Sequence, residues 1–303
     1  MIKPIFKNPD HQEKFDRQGF IVLPFLSEEE VGQLDKAFDQ LHPELPDSGF
    51  ISGSYSGDFQ YKKKASDLIK DAFSPQYERL FTNYRALGGA FLFKVPSENS
   101  DLILHQDWTI VDEEKFVALN VWVPLTDIHK TNGALMVLPG SHYPKLPVLR
   151  APTLNFFFTG NEKVLMDELK PQYVKAGHAV ILNQSVVHYS PANTSGKVRK
   201  AITAGVVTDE APLQFYYFDQ AANKPEVEQF AQEDDFLIRF DNFFQDIFQR
   251  PKLGDSLGKK PYQLPSFEEK ELRKIVSTMV SNAGFKPKAQ PGLFDRLRSL
   301  FRS

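Results

Sequence analysis

The chain has no cysteine. That removes disulfides, thiolate zinc, iron–sulfur clusters and cysteine nucleophiles together, so any metal here must be held by nitrogen and oxygen. Long apolar runs are missing too, and nothing of membrane-spanning length can be drawn. The opening "MIKPIFKNPDHQEKFDRQGF" lacks the apolar core of a signal peptide, which makes a cytoplasmic location the default expectation. An excess of positive charge is also wanting. The net charge of −3 gives no reason to expect nucleic acid as a partner. Internal repeats and low-complexity tracts are absent. Histidine is scarce, with seven in 303 residues, so the placing of each calls for a reason. What is plentiful is phenylalanine, 27 of them, and an aromatic-rich core is the expected use.

The first part of the chain, 1–88, reads as helices and a strand packing on the core of the protein. A short helix closes at Gly19, and "FIVLPF" comes next as a strand. Ser27 and Glu30 fit a capping box, with Leu26 and Val31 as its hydrophobic staple. Val31, Leu34, Phe38 and Leu41 then recur at helical spacing. Residues 50–64 are rich in glycine, serine and lysine and read as a long polar loop, including "YKKK". A further helix is expected to begin near Pro75.

From residue 89 the texture becomes β. The runs "AFLFKV", "LILHQD", "FVALNVWVPL", "ALMVL", "QYVKA", "HAVILN", "VVHYS" and "VRKAITAGVV" alternate with turn signals such as "KTNG", "PGSH" and "NTSGK". This predicts a mainly β core, a sandwich or jelly roll, over 89–208 with an insertion at 144–170. Beyond 209 the expectation is a helical extension to 303. It includes "KPEVEQFAQEDDFLIRFDNFFQDIFQRP", an amphipathic helix capped by Ser266 and Glu269, and a basic amphipathic tail expected to pack on its own protein. These C-terminal helices are the candidate oligomer contact.

The chemistry starts at "HQDW". In a strand, residues i and i+2 face the same way, so His105 and Asp107 project together. Alone, such a pair is commonplace at a strand end. His188, on a later β-type run, supplies a third ligand, and a jelly roll brings distant strands to one mouth. Two histidines and one carboxylate form the facial triad that suits non-haem Fe(II) and leaves coordination positions open. A dicarboxylate co-substrate filling those positions needs a cation for its far end. Arg199, eleven residues after His188, offers the planar fork, and Ser190 could add a hydroxyl. Lys197 is flexible, and Lys200 should face the other way.

These segments carry a resemblance. "HQDWTIVDEEKFVALNVWVPLTDIHKTNGALMVLPGSH" and "HYSPANTSGKVRKAI" resemble the phytanoyl-CoA dioxygenase family of Fe(II)/2-oxoglutarate oxygenases, over roughly residues 88–208. The resemblance implies a double-stranded β-helix (cupin-like jelly roll) core with flanking helices. It implies Fe(II) on His105, Asp107 and His188, and 2-oxoglutarate held by Arg199 and Ser190 with Trp122 lining its pocket. Dioxygen would be the oxidant, and a small organic molecule the substrate hydroxylated, with release of succinate and CO2. Asn120 shares the strand face of Trp122 and is a candidate pocket residue on geometry alone. Halogenating relatives have a small residue where Asp107 stands, so hydroxylation, or a related desaturation or cyclisation, is expected. Two other readings stay open: a cupin-like metalloenzyme that does not use 2-oxoglutarate, and an idle family member that acts as a binding protein. Lys94 is read either as a pocket contact or as a strand-end lysine reaching water. His142 is expected as a hydrogen-bonded turn residue, His42 as exposed, Trp108 as packing before substrate wall, and Asp112 to Glu114 as exposed loop charge.

Overall fold

The computed structural model describes residues 2–142, 148–156, 158–222 and 224–288. In chain order the elements are α1 (Pro9–Gln18), β1 (Phe20–Pro24), α2 (Glu28–Leu41), β2 (Gly49–Ser52), α3 (Phe59–Leu80), β3 (Tyr84–Val95), β4 (Leu102–His105), β5 (Ala118–Pro124) and β6 (Met136–Val137). They continue with α4 (Glu162–Met166), β7 (Lys170–Pro171), β8 (His178–Asn183), β9 (His188–Ser190), β10 (Arg199–Thr208), β11 (Leu213–Phe218), β12 (Glu226–Gln232), α5 (Phe243–Asp246), β13 (Ser256–Pro261) and α6 (Glu269–Asn282). The strands form three antiparallel sheets in the orders β1-β8-β5-β10-β3-β2, β4-β9-β6-β7 and β11-β12-β13. No helix among the described residues is long and apolar enough to cross a membrane.

The six-stranded sheet is buried on both faces because its strands alternate between two apolar sets. Leu119, Val121 and Val123 of β5, with Ala179 and Ile181 of β8, point to the side covered by α1, α2 and α3. There they meet Phe15, Phe38, Ile69, Phe73 and Tyr77, which is where much of the phenylalanine goes. Trp122, Val180, Leu182 and Ala201 point the other way and pack with Val137 of the four-stranded sheet. The two sheets therefore face each other as a jelly roll, with the side chains that matter for chemistry between them.

Local sequence signals explain several boundaries. The Ser27–Glu30 capping box is present with both bonds: Glu30 N–H donates to Ser27 Oγ at 3.2 Å, and Ser27 N–H donates to Glu30 Oε2 at 2.7 Å. Ser27→Ala should lower stability by about 1 kcal/mol, read as a shift in the denaturation midpoint with an unchanged slope. Gly19 ends α1 at φ +80°. A Cβ there would lie 2.3 Å from His142 Nδ1, while His142 Nε2–H donates to Asp16 O at 2.9 Å, so the turn histidine docks on the end of α1.

Four expectations fail. Residues 50–64 are not a loop: β2 and a short 3-10 turn lead to Asp58, whose side chain caps α3 from residue 59, and Pro75 lies inside that helix. The apolar face was disguised by Lys62, which is buried and reaches Phe240 O at 2.5 Å. Residues 224–251 are not a long helix. Val227 and Phe230 lie on β12, paired to Phe218 and Phe215 of β11, and this long-range pairing outweighs local helix propensity. The helix α6 forms, but starts at Glu269 with Glu268 in the capping position and no side-chain cap bond, so the Ser266 cap is not used. Of the β runs, only "QYVKA" holds no strand; β7 lies just before it. The basic tail lies outside the described residues.

Candidate active site

His105 and His188 face each other across the pairing of β4 and β9. Their ring centroids are 4.1 Å apart. Asp107 Oδ1 lies 3.9 Å from each histidine's Nε2, and the three ligand atoms all fall within 4.8 Å of one another. The tautomers are set by the backbone. His105 Nδ1 is 2.7 Å from Ile103 O, and His188 Nδ1 is 2.9 Å from Val186 O. A carbonyl can only accept, so each Nδ1 carries the proton and each Nε2 turns its lone pair to the common centre. Burial and the neighbouring His188 ring hold the His105 pKa well below the ordinary imidazole value, which keeps the ring neutral and able to ligate.

Asp107 is aimed by its other oxygen. Asn120 Nδ2 donates to Asp107 Oδ2 at 3.0 Å, and Thr203 Oγ1 donates to Asn120 Oδ1 at 2.5 Å. Asn120 therefore positions a candidate metal ligand, and it also lines the cavity expected to hold the co-substrate. Asn120→Ala should weaken iron binding by about 10–100-fold while the fold is retained, measured by metal titration. The backbone of Asp107 is also held: its N–H donates to Gln184 O at 3.0 Å, and Arg150 Nε donates to its carbonyl at 2.8 Å. Arg150 is in turn paired with Glu113. The acidic run 112–114 is thus not plain loop charge, and Arg150 went unnoticed in the sequence because the partner that makes sense of it is 37 residues away.

Arg199 opens β10 and is 3% exposed, yet its Nε and Nη1 are buried with no hydrogen-bond partner. Its guanidinium carbon sits 5.6 Å from the centre of the Trp122 ring, and burial lowers its pKa to about 9. Directly across the register lies Lys94, fully buried. Lys94 Nζ donates to Ser190 O and Pro191 O, each at 2.8 Å, and burial, then the Arg199 charge, push its pKa down to about 6. It neither reaches water nor pairs with an acid. Gly133, at φ +76°, lets this happen: a Cβ there would stand 2.8 Å from the Lys94 stem. Its carbonyl accepts the Ser190 hydroxyl at 2.9 Å, so Ser190 would have to turn that hydroxyl to serve a carboxylate. Lys200 faces the helices instead, bonded to Asp35 and Asp39. His42 is half-buried against Phe38 and bonded to Tyr61, not exposed.

The triad, Arg199, Ser190, Trp122 and Asn120 all line one cavity of about 490 Å³. Two nitrogens and one oxygen are the donor set of a non-haem iron centre, and an unpaired buried guanidinium in the same cavity awaits a carboxylate; the residues fit Fe(II) and 2-oxoglutarate.

The sequence profile of the phytanoyl-CoA dioxygenase (PhyH) family matches residues 15–201. The chain belongs to that family. Among its relatives, phytanoyl-CoA dioxygenase domain-containing protein 1 of Danio rerio is 35% identical over 131 residues, which is 41% of this chain but only 45% of that protein. Phytanoyl-CoA dioxygenase of Arabidopsis thaliana is 24% identical over 259 residues, covering 67% of this chain and 89% of that protein. In fold, the chain is similar to the non-heme alpha-ketoglutarate-dependent carbocyclase SnoK from nogalamycin biosynthesis, at TM-score 0.52 and 18% identity over 68% of this chain and 86% of that one. The PhyH match covers all three metal-ligand candidates and Arg199 and stops inside β10. Everything from β11 onward lies outside it.

Proposed function

We propose that this PhyH-family protein is an Fe(II)/2-oxoglutarate-dependent dioxygenase that hydroxylates an unactivated C–H bond of a small organic substrate. The reaction balances as R–H + 2-oxoglutarate + O2 → R–OH + succinate + CO2. The observation that carries this reading is Arg199: a guanidinium with two unpartnered, buried nitrogens in the cavity of a His–Asp–His cluster. A metalloenzyme that did not use an oxoacid would have no use for it, and leaving such a group buried and unpaired is costly.

Each residue then has a task. His105 and His188 ligate through Nε2, and Asp107 through Oδ1, held in place by Asn120. Fe(II), when bound, supplies the redox chemistry that uses O2 with 2-oxoglutarate as the co-reductant. Arg199 grips the far carboxylate, and Trp122 walls that end. The aromatic and aliphatic lining keeps water from the reacting centre. A carboxylate at 107, filling the position that a halide would need, supports hydroxylation.

Purified protein given Fe(II), ascorbate and 2-oxoglutarate should form succinate slowly without added substrate, and a chelator should abolish this. Binding of iron without either binding or turnover of 2-oxoglutarate would refute the proposal.

A further inference from the structure

We propose, resting on the reading above, that the substrate is a neutral molecule with an apolar body and a hydrogen-bond donor. It is selected by a wall that the segment 236–248, outside the family match, lays over the cavity.

Four lining residues are ionised or metal-ligating: His105, Asp107, His188 and Arg199. Iron and 2-oxoglutarate occupy all of them. Among the described residues the rest of the cavity offers no charged side chain, so an ionised substrate group would be desolvated without a counter-ion. What remains is largely aliphatic and aromatic, including Leu87, Leu92, Leu102 and Ile110.

The outer wall comes from the C-terminal part of the chain through Leu237, Ile238, Phe243 and Ile247. Phe243 lies parallel to Trp108, with ring centroids 5.9 Å apart and planes 13° apart, and 4.6 Å from Tyr55. Buried Lys62 of α3 ties the segment down through Phe240 O. Trp108, immediately after the metal-binding aspartate, is therefore joined to a wall that the rest of the family pattern does not specify. Within this apolar space two acceptors are unsatisfied: the side-chain oxygens of Gln106 and Gln184 are buried with no hydrogen-bond partner. A hydroxyl or amide N–H on the substrate would satisfy one of them.

The test uses three probes with one apolar body: 1-decanol, decanoate and decylammonium. Both tryptophans of the chain line the cavity, so binding can be followed by tryptophan fluorescence on the full chain, with and without Ni(II) and 2-oxoglutarate. In the protein loaded with Ni(II) and 2-oxoglutarate, decanol should bind at least about tenfold more tightly than either ion, because only the ions then lose hydration without a partner. Phe243→Asp should weaken decanol by about tenfold or more through the charge placed in the wall, and Gln184→Leu by a few-fold through the lost acceptor. Equal or tighter binding of an ion to the loaded protein, or no binding of decanol to the unaltered protein, overturns the proposal without any variant. Decanol binding indifferent to Phe243→Asp in a folded variant overturns the role of the wall, and indifference to Gln184→Leu overturns the donor. If 2-oxoglutarate fails to bind while decanol still binds and responds to Phe243→Asp and Gln184→Leu, the co-substrate reading falls and the apolar, acceptor-bearing character of the cavity stands.

Discussion

Arg199→Ala should raise the 2-oxoglutarate concentration needed for half-saturation by roughly 30-fold or more, since losing one partner of a buried, hydrogen-bonded charge pair costs about 2–5 kcal/mol. Iron binding should be nearly unchanged, because Arg199 touches none of the three ligands. Measured by calorimetry or by succinate formation against co-substrate concentration, a wild-type response would remove the co-substrate assignment. A second readout separates this role from a structural one. In the ligand-free protein the guanidinium is buried with two nitrogens unpaired, which is a cost and not a support. The variant without ligand should therefore melt no lower than the parent, and only the stabilisation by 2-oxoglutarate should disappear. Arg199→Lys should recover only part of the affinity, because a point charge does not reproduce the planar fork.

His188→Ala and Asp107→Ala should each abolish measurable turnover and weaken iron by more than about 100-fold, given that loss of a mere supporting partner costs about 10–100-fold. The two variants should differ in stability. His188 is 4% exposed and packs in the pairing of β4 with β9, so its removal leaves a gap as well as a missing ligand. Asp107 is more open, and its loss mainly strands the Asn120 amide. Metal content by elemental analysis, alongside a melting curve, checks both. Retention of full iron by either variant would mean that the ion sits elsewhere.

Shortening Asp107 removes one candidate ligand and frees Asn120 Nδ2, while Asn120 Oδ1 keeps its bond from Thr203. Turnover by Asp107→Ala should not be restored by formate or acetate to more than a small fraction, because the carboxylate orientation is set by the Asn120 bond and not by charge alone.

How much of this was legible differs by residue. His105 and Asp107 share a face because strand periodicity is a local property, and two short segments, "HQD" and "VVHYS", were enough to nominate the triad. Arg199 is nominated by the need to neutralise an oxoacid, and strand alternation turns Lys200 the other way, where it bonds Asp35 and Asp39 on the far side of the sheet. The capping box at Ser27 was equally local. By contrast, α3 was missed because its first turns present Lys62 where an apolar residue would have shown the helix face, and that lysine makes sense only with Phe240 in view.

The sequence by itself determined the candidate donor set, its spacing along strands and the candidate cation for a dicarboxylate, because each depends on side-chain identity and the period of a strand. Only the tertiary structure decided that Asn120 and Thr203 aim the carboxylate and that Arg150 and Glu113 brace its backbone. It also decided that Lys94 is buried beside Arg199 and that Leu237, Ile238, Phe243 and Ile247 line the cavity. Those relations depend on register and packing between segments as far apart in the chain as Lys62 and Phe240, and no local pattern encodes which buried polar group will meet which.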